Sequence, residues 1–574
     1  MGVKDKDMTD AIHDAGDNSP DTEVALKVDA PPQGTGKLQR RLNYRQIQIM
    51  AMGGSIGTAL FINIGGGLAK GGPLSLLLGF ILYSLILSCV NNSVAEMTVL
   101  HPHPGGFIRM AGHWVDDAFG FMAGWNFFIY EALSVPFEIT ALTMCLSFWR
   151  DDIPAGAVCA ACIVSYSCLS IFAVKVYGEA EFWGSSGKVL LISMLFAFTF
   201  VTMVGGNPQH DAYGFRHWND PGPMAEFLSS GSLGRFEGFL GSLWMASFTT
   251  VGPEYVTLIA GEAQHPRTYV KKAFKTVYWR FLLFFIMAAV SVGILVPYND
   301  PALIATFITN TATGSKSSGS PFIIAMRNLQ IDGLPHAMNV LLITTIFSAG
   351  NTYMYGASRI LYGLSLEGRA PTILQKCTKQ GVPIYCVLVT MCFPLLSLLQ
   401  LGNGSSQALT WLTNILTAGG LINYFVMSVT YIFFYRACKA QGIDRTAFPY
   451  YGRFQPYAAW IGVIGEGAIV LCYGYASFKP WNIADFFTNY TMVLLAPVTF
   501  TFWKLVKRTA LIKPLEADLV WERPIVDSYE RSTLSAPQGF WVEFLGWVGL
   551  RRGSKVAEAA ARTEEGHGEM VEVS

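Results

Sequence analysis

Two segments of the chain interrupt long apolar stretches with glycine, threonine and proline. They are GGSIGT (Gly53–Thr58) and TTVGPE (Thr249–Glu254). Glycine costs about 1 kcal/mol in a helix interior and proline about 3 kcal/mol, so a helix through either segment is expected to unwind there. The half-helix after such a break points free N–H groups at an anion, while the freed carbonyls accept hydrogen bonds from an ammonium. Two such breaks together would bind the anionic and cationic groups of a zwitterion. Each segment taken alone is explained equally well by the packing of helices through small residues.

Lys188 lies inside another apolar stretch, about nine helical residues from its start, which places its α-carbon roughly 13 Å deep. A lysine side chain reaches about half that distance towards the interface. Burial disfavours the charged form of lysine and so makes proton loss easier. We therefore expect Lys188 either to exchange a proton during a functional cycle or to be a permanently charged support for its neighbours.

Three glutamates also fall inside apolar stretches, where ionisable residues are costly and commonly functional. Glu131 and Glu138 are seven residues apart and share one helix face, and Glu254 ends the second break. We expect a structural or gating role for all three. Three interpretations of Glu131 stay open: a carboxylate satisfied by neighbouring helices, a partner for a cation of the protein, and a selector of ligands with extra positive charge.

The composition around these residues is that of an integral membrane protein. Hydrophobic residues make up 52% of the 574 residues and charged residues 14%, against roughly 25% charged in an average soluble protein. A helix needs about 20 apolar residues to cross the hydrocarbon core. On that criterion about twelve transmembrane helices are predicted. They lie near residues 44–69, 73–100, 119–149, 154–174, 180–205, 236–260, 279–297, 335–362, 383–402, 407–435, 456–477 and 485–505.

The connectors between the predicted spans differ in their content of lysine and arginine. Those on the side of the two chain ends contain fifteen, and the opposite ones contain seven. Because positive charge accumulates in cytosolic connectors, both ends are predicted to be cytosolic. Residues 1–43 are expected to be a disordered tail, residues 44–505 the membrane domain and residues 506–574 a second tail. The long outer connectors, 206–235 and 298–334, are predicted to be loops because they are rich in glycine, proline, asparagine and serine.

The two breaks fall in the first and sixth predicted spans. These positions correspond if the chain contains two five-helix repeats, 44–205 and 236–435, followed by two helices within 456–505. Inverted repeats with a broken first helix and a ligand site at the bilayer midplane are typical of one large class of secondary transporters. The pattern therefore predicts an all-α polytopic membrane protein with a midplane site. Ser348 and Asn351, polar residues of the eighth span, would either line that site or join neighbouring helices.

Other functional classes find little support in the sequence. The stretch GSSGKV (Gly184–Val189) lacks the first glycine and the final hydroxyl residue of a phosphate-binding loop. His101, His103 and His113 form no recognised catalytic motif, so no enzyme activity is expected. Most of the ten cysteines lie in apolar stretches, and neither disulfides nor a metal site nor a cofactor is expected. A net charge of zero gives no reason to expect a nucleic-acid partner.

Seven stretches of the chain resemble the fungal amino acid permeases of the amino acid–polyamine–organocation superfamily. The resemblance extends from the first to the tenth predicted span and implies a LeuT-type fold of twelve helices. It also implies proton-coupled uptake of amino acids through the plasma membrane. The stretches are GGSIGTALF (53–61), AGWNFF (123–128), PFEIT (136–140), YGEAEFWGSSGKV (177–189), GEAQHPR (261–267), RFLLFF to LVPYNDP (280–301) and SAGNTYMYGASRILYGLSLEGRAP (348–371).

The same resemblance implies roles for individual residues. The backbone after the first break would bind the substrate carboxylate, carbonyls of both breaks would bind its ammonium, and Phe248 would cover it. Lys188 would stand where sodium-coupled relatives bind sodium, which implies proton coupling. Glu138 and Glu254 match carboxylates of the family, whereas fungal relatives usually carry an aromatic residue in place of Glu131. The predicted substrate-binding residues are Ser55, Ile56, Gly57, Thr58, Phe248, Thr249, Val251, Ser348 and Asn351.

Two alternatives use the same fold. A nutrient sensor would bind an amino acid without transporting it, although sensors that resemble this family tend to have longer cytosolic extensions. A carrier of carnitine, a betaine or a polyamine would also fit, because Glu131 and Ala59 both depart from the usual residues of the family.

Overall fold

A computed structural model describes residues 44–150, 152–172, 177–309, 319–378 and 381–532. Within these ranges the chain consists of helices and their connectors and contains no β-strand. The predicted N-terminal tail and the last part of the C-terminal tail lie outside the described residues. The all-α prediction therefore agrees with the described part of the chain.

The first third of the chain contains the first break and six helices. A π-helical segment, Ala59–Asn63, leads directly into the second helix. This helix bends at Gly72, where φ is 76°, so it contains the end of the first predicted span and the whole of the second. The helices are α1 (Tyr44–Ser55), α2 (Ile64–Leu100), α3 (Gly106–Trp114), α4 (Asp117–Leu146), α5 (Ala155–Phe172) and α6 (Tyr177–Met203).

The middle of the chain contains the second break and seven helices, three of them in the outer connectors. They are α7 (Arg216–Asn219), α8 (Gly231–Thr249), α9 (Pro253–Ile259), α10 (Pro266–Arg280), α11 (Met287–Leu295), α12 (Pro301–Phe307) and α13 (Pro321–Asn328). A π-helical segment, Phe281–Ile286, joins α10 to α11. Together they form one helix, Pro266–Leu295, that begins well before the predicted span 279–297, because the polar start of α10 is helical without being apolar.

The prediction that the outer connectors are loops is wrong in part. Residues 298–334 contain α12 and α13, and residues 206–235 contain α7 and the start of α8. Helix α12 has a strong local start signal, since the Asp300 side chain accepts hydrogen bonds from the N–H groups of Ala302 and Leu303 and Pro301 occupies the first turn. Such short capped helices are too brief to produce an apolar period that sequence analysis can detect.

The last part of the chain contains seven helices. Eight helices among the described residues are long and apolar enough to cross a membrane, which makes this an integral membrane protein; the count of twelve spans and the inverted repeat stay predictions. In the ninth predicted span a 3₁₀ segment, Phe393–Leu399, replaces regular α-helix. The helices are α14 (Leu334–Leu366), α15 (Ile384–Thr390), α16 (Gln400–Asn403), α17 (Ser405–Ala440), α18 (Tyr457–Cys472), α19 (Ile483–Lys507) and α20 (Arg523–Ser532).

Helices α2 and α8 approach each other closely through small residues. A methyl group at Gly71 would lie 2.1 Å from the Ser242 hydroxyl oxygen, and one at Gly79 would lie 2.9 Å from the backbone nitrogen of Leu243. The Ser242 hydroxyl donates to the carbonyl of Gly67 at 2.9 Å. Small residues and hydroxyls are the usual means of joining helices in lipid, where no hydrophobic force drives their association. This contact fixes α8, which leads into the second break, against α2, which follows the first break.

Residues 508–532 pack against the face of the bundle at which α2 ends and α4 begins, which we call the tail face. The backbone N–H of Ile512 donates to the carbonyl of Val115 at 3.0 Å. The Trp114 indole donates to the carbonyl of Asp518 at 3.0 Å. Further along the face, the Gln441 amide donates to the carbonyl of Ala517 at 2.7 Å. These bonds join the segment to α3 and to the end of α17.

The side chains of Trp521 and Glu522 insert among basic residues of the connector between α2 and α4. The Trp521 ring stacks on His113 with ring centroids 4.1 Å apart, and the Arg109 guanidinium lies 4.9 Å from the same ring. Glu522 pairs with Arg109 at 2.5 Å and lies 3.0 Å from His103 Nδ1. The hydrogen bond with His103 and the ion pair with Arg109 lower the pKa of Glu522 to about 2.

Helix α20 extends this attachment to a second connector of the tail face. Asp527 and Glu530 both pair with Arg267, which lies in the first turn of α10. Residues 508–532 therefore join α3 to the start of α10, which follows α9 and the second break along the chain.

Glu522→Gln is expected to loosen residues 508–532 at neutral pH, because the variant loses the ion pair with Arg109. Cleavage of the segment by trypsin should accelerate roughly two- to fivefold, the range for a partly exposed pair. In the wild type the same loosening should appear as the pH falls from about 4.5 towards 2. Because the pKa of Glu522 is lowered by its partners, its ionised form stabilises the attachment of the segment above pH 4.5. This stabilisation is lost as Glu522 is protonated. Pepsin cleavage measures this second range.

The matched control is Glu516→Gln, since Glu516 belongs to the same segment and its side chain is 63% exposed beside Lys513. Equal cleavage rates for the two variants would contradict the assigned role of Glu522.

Candidate functional site

The first break separates α1 from the π-helical segment that precedes α2. Helix α1 ends at Ser55, and Ile56 and Gly57 are not helical. Gly53 allows α1 to approach α6, since a methyl group at this position would lie 1.7 Å from the Ser185 hydroxyl oxygen. The break predicted from the glycine-rich sequence is therefore present, and its glycines let another helix come close.

Lys188 of α6 contacts the backbone of this break. Its side chain is 1% exposed, and its Nζ donates a hydrogen bond to the carbonyl of Gly53 at 3.0 Å. The lysine charge also interacts with the carboxylate of Glu138. Lys188 thus connects α6 to both the first break and α4.

The second break lies between α8, which ends at Thr249, and α9, which begins at Pro253. Thr250 is extended, with ψ of 106°, and Gly252 has φ of 156°. The Glu254 carboxylate satisfies the free backbone, because its Oε2 accepts from the N–H of Gly252 at 3.1 Å. The same oxygen accepts from the Tyr424 hydroxyl of α17 at 2.8 Å. Glu254 thus joins the second break to α17, and the structural or gating role expected for it stays a prediction.

Both breaks line one small cavity with a volume of about 30 Å³. This volume is far below the roughly 300 Å³ or more of a typical small-molecule pocket, so the site is narrow in the described conformation. Phe248 and Phe137 meet edge to face across it with ring centroids 5.4 Å apart. The lining residues are Gly57, Thr58, Ala59, Tyr130, Ser134, Phe137, Glu138, Phe248, Thr249, Val251, Tyr353 and Leu416.

Five of the nine predicted substrate-binding residues line this cavity: Gly57, Thr58, Phe248, Thr249 and Val251. The Ile56 side chain is fully buried in the hydrophobic core, and the Ser55 side chain lies outside the described residues. Ser348 lies against Gly184 of α6, where a methyl group would be 2.5 Å from its hydroxyl oxygen, and neither it nor Asn351 lines the cavity.

Glu138 takes part in the cavity more directly than a structural or gating role implies. It is buried, lines the cavity, and accepts a short hydrogen bond from the Thr58 hydroxyl. This bond joins α4 to the first break. Glu138 therefore accepts a hydrogen bond from Thr58 and also interacts with the charge of Lys188.

Sequence reasoning missed several lining residues. Tyr130, Ser134 and Phe137 follow helical spacing towards Glu138, so one face of α4 forms a wall of the cavity. That spacing was visible in the sequence once Glu138 was taken as a site residue. Tyr353 and Leu416 come from α14 and α17, and no local pattern distinguishes them from core residues.

The fold and the buried cavity are those of a polytopic membrane protein with a central site, and comparison with known proteins identifies the family. Residues 46–514 match the Amino acid permease family. The chain is 42% identical over 502 residues to the General amino acid permease AGP2 of Saccharomyces cerevisiae, covering 86% of this chain and 84% of that protein.

It is 33% identical over 514 residues to a Proline-specific permease of Emericella nidulans, covering 89% and 93% of the two chains. It is 34% identical over 481 residues to the Lysine-specific permease of S. cerevisiae, covering 83% and 77%. The chain belongs to the amino acid permease family, whose characterised members are transporters and not enzymes.

Thr58→Val is expected to destabilise the protein, because the buried Glu138 carboxylate loses its hydroxyl donor. The loss should amount to about 1–3 kcal/mol in the free energy of unfolding. Thr58→Ser, which keeps the hydroxyl, is the matched control and should stay close to wild type. Denaturation of the detergent-purified variants measures the difference, and a valine variant as stable as the serine variant would show that the bond contributes nothing.

Proposed function

We propose that this permease takes up amino acids through the plasma membrane, driven by the proton gradient, with both chain ends in the cytosol. The observation that carries the proposal is that two broken helices line one small cavity, in a chain of the amino acid permease family. Backbone at membrane depth is tolerated where it is buried or lines a cavity, so the breaks are maintained for a ligand.

The two breaks offer complementary partners for the two charges of an amino acid. The backbone at Gly57 and Thr58 precedes a new helical segment and receives the carboxylate. Carbonyls near Ile56, Phe248 and Val251 receive the ammonium. The Phe248 ring, half-buried at the cavity, covers the bound substrate.

Lys188 is the proposed coupling residue. Its ammonium holds the Gly53 carbonyl, so its state of charge acts directly on the backbone of the substrate site. When Lys188 is protonated, a charge-assisted hydrogen bond holds the first break as described. When Lys188 loses its proton, the neutral amine donates a weaker bond and α1 is held less firmly against α6. The transfer of one proton per cycle would thereby couple the gradient to the movement of α1.

Gly57→Val is expected to abolish amino acid binding. A methyl group at Gly57 has room, since its nearest neighbour would be the Tyr353 hydroxyl at 3.9 Å, but two further methyl groups exceed the small volume of the cavity. Gly57→Ala is therefore the matched control and should retain measurable binding. Equilibrium binding of radiolabelled amino acids to the purified variants tests this, and normal affinity in the valine variant would remove Gly57 from the site.

Lys188→Met is expected to leave amino acid binding measurable while abolishing accumulation driven by a pH gradient in proteoliposomes. The substitution keeps most of the side-chain volume but removes the charge on the Gly53 carbonyl. Lys513→Met, at a lysine whose side chain is 75% exposed, is the control and should behave as wild type. Unchanged pH dependence in Lys188→Met would remove Lys188 from the coupling mechanism.

The function itself is tested by uptake of radiolabelled amino acids in a host that lacks its own permeases. Accumulation that disappears when the proton gradient is collapsed supports proton-coupled transport. Binding of amino acids without accumulation would instead identify a sensor.

A further inference from the structure

A second polar feature adjoins the central cavity on the side of the tail face. Glu131 lies seven residues before Glu138 on α4, about 10 Å nearer to the tail face. Its side chain is 2% exposed, and its Oε1 has no hydrogen-bond partner. Its Oε2 faces Gly356 of α14, since a methyl group at Gly356 would lie 2.9 Å from it. The carboxylate is therefore enclosed between α4 and α14.

Two tyrosines that line the cavity connect Glu131 with the central site. Tyr130 and Tyr353 both line the cavity, and both interact electrostatically with Glu131. Glu254 at the start of α9 also interacts with Glu131, and its Oε1 is a second buried carboxylate oxygen without a partner. Two buried carboxylates, each with an oxygen that lacks a partner, thus interact with each other and with two tyrosines of the cavity lining.

The protein supplies no counter-charge to Glu131 among its described residues. Glu138 interacts with Lys188 and Glu254 with Arg280, but no lysine or arginine in the described ranges forms an ion pair with Glu131. A buried carboxylate without a partner is strongly unfavourable. It therefore has to carry a proton or meet a positive ligand.

We propose that Glu131 and Glu254 form a cation subsite that takes a second positive group of the cargo, an ammonium or a guanidinium. The inference rests on the proposed function, in which the two broken helices bind the α-carboxylate and α-ammonium. Tyr130 and Tyr353 line the cavity and interact with Glu131, and tyrosine rings of this kind attract organic cations. The cargo is thus a basic amino acid, extended from the cavity towards the tail face.

An organic cation fits this place better than a metal ion. Hard metal ions require about six or more oxygen ligands, and the described residues contain no group of acidic or histidine side chains arranged to hold a metal. Carboxylate oxygens and tyrosine rings are groups that bind an ammonium or a guanidinium.

The experiment uses the full-length purified protein and matched pairs of cargo. Lysine is compared with norleucine, and arginine with citrulline, as competitors for a bound radiolabelled amino acid. Wild type should bind the charged member of each pair roughly tenfold or more tightly, the range for a hydrogen bond to a charged group. The selectivity ratios are the affinity for lysine divided by that for norleucine, and the affinity for arginine divided by that for citrulline. Glu131→Gln should bring both selectivity ratios close to one while leaving the affinities for norleucine and citrulline unchanged.

Glu466→Gln is the matched control. Glu466 on α18 is likewise fully buried and has an Oε1 without a partner, but it contacts Tyr83 and lies outside the cavity lining. Its substitution should leave the selectivity ratios unchanged. An equal loss of selectivity in Glu466→Gln would overturn the subsite, because the effect would then follow from any buried carboxylate.

Gly356→Ala provides a second variant if Glu131→Gln does not fold. Its methyl group crowds the Glu131 carboxylate without removing it and should also lower both ratios. Equal affinities within each pair in wild type, or unchanged ratios in both variants, overturn the subsite. If norleucine is accumulated and lysine has no advantage, only the subsite fails; if no amino acid is bound or accumulated, the proposed function fails and the subsite fails with it.

Discussion

The structure depends on satisfying unwound backbone in a place that water does not reach. A backbone group left unpaired in lipid costs several kcal/mol, so a broken helix is maintained only where side chains replace the lost bonds. Lys188 does so for the carbonyl of Gly53, and Glu254 does so for the N–H of Gly252. The Thr58 hydroxyl in turn satisfies Glu138, which interacts with Lys188. The ionisable groups and the helix breaks thus require each other.

This mutual requirement explains how much of the site could be predicted from the sequence. The breaks depend on glycine and proline, whose cost in a helix is local and can be assigned without knowing any neighbour. Lys188 is conspicuous because a charge in an apolar stretch needs a partner. Together with the family resemblance, these signals identified two opposing halves of the site, the class of protein and its helical fold.

The rest of the site depends on which faces of distant helices meet. Tyr353 and Leu416 are ordinary apolar-face residues until α14 and α17 are placed beside the breaks. Ser348 was expected at the cavity because it is polar, yet it lies against Gly184 of α6. Polar residues serve equally well between helices and at a ligand, so composition alone does not distinguish the two positions.

The attachment of residues 508–532 changes where the folded protein ends. If the chain were cut directly after α19, the Trp114 indole would lose its carbonyl acceptor and Arg267 its two acidic partners. Apolar composition alone would place the end of the folded protein at α19, because no described helix after α19 is long and apolar enough to span a bilayer. Hydrogen bonds and ion pairs at the tail face therefore hold residues 508–532 to the bundle, one helix beyond α19.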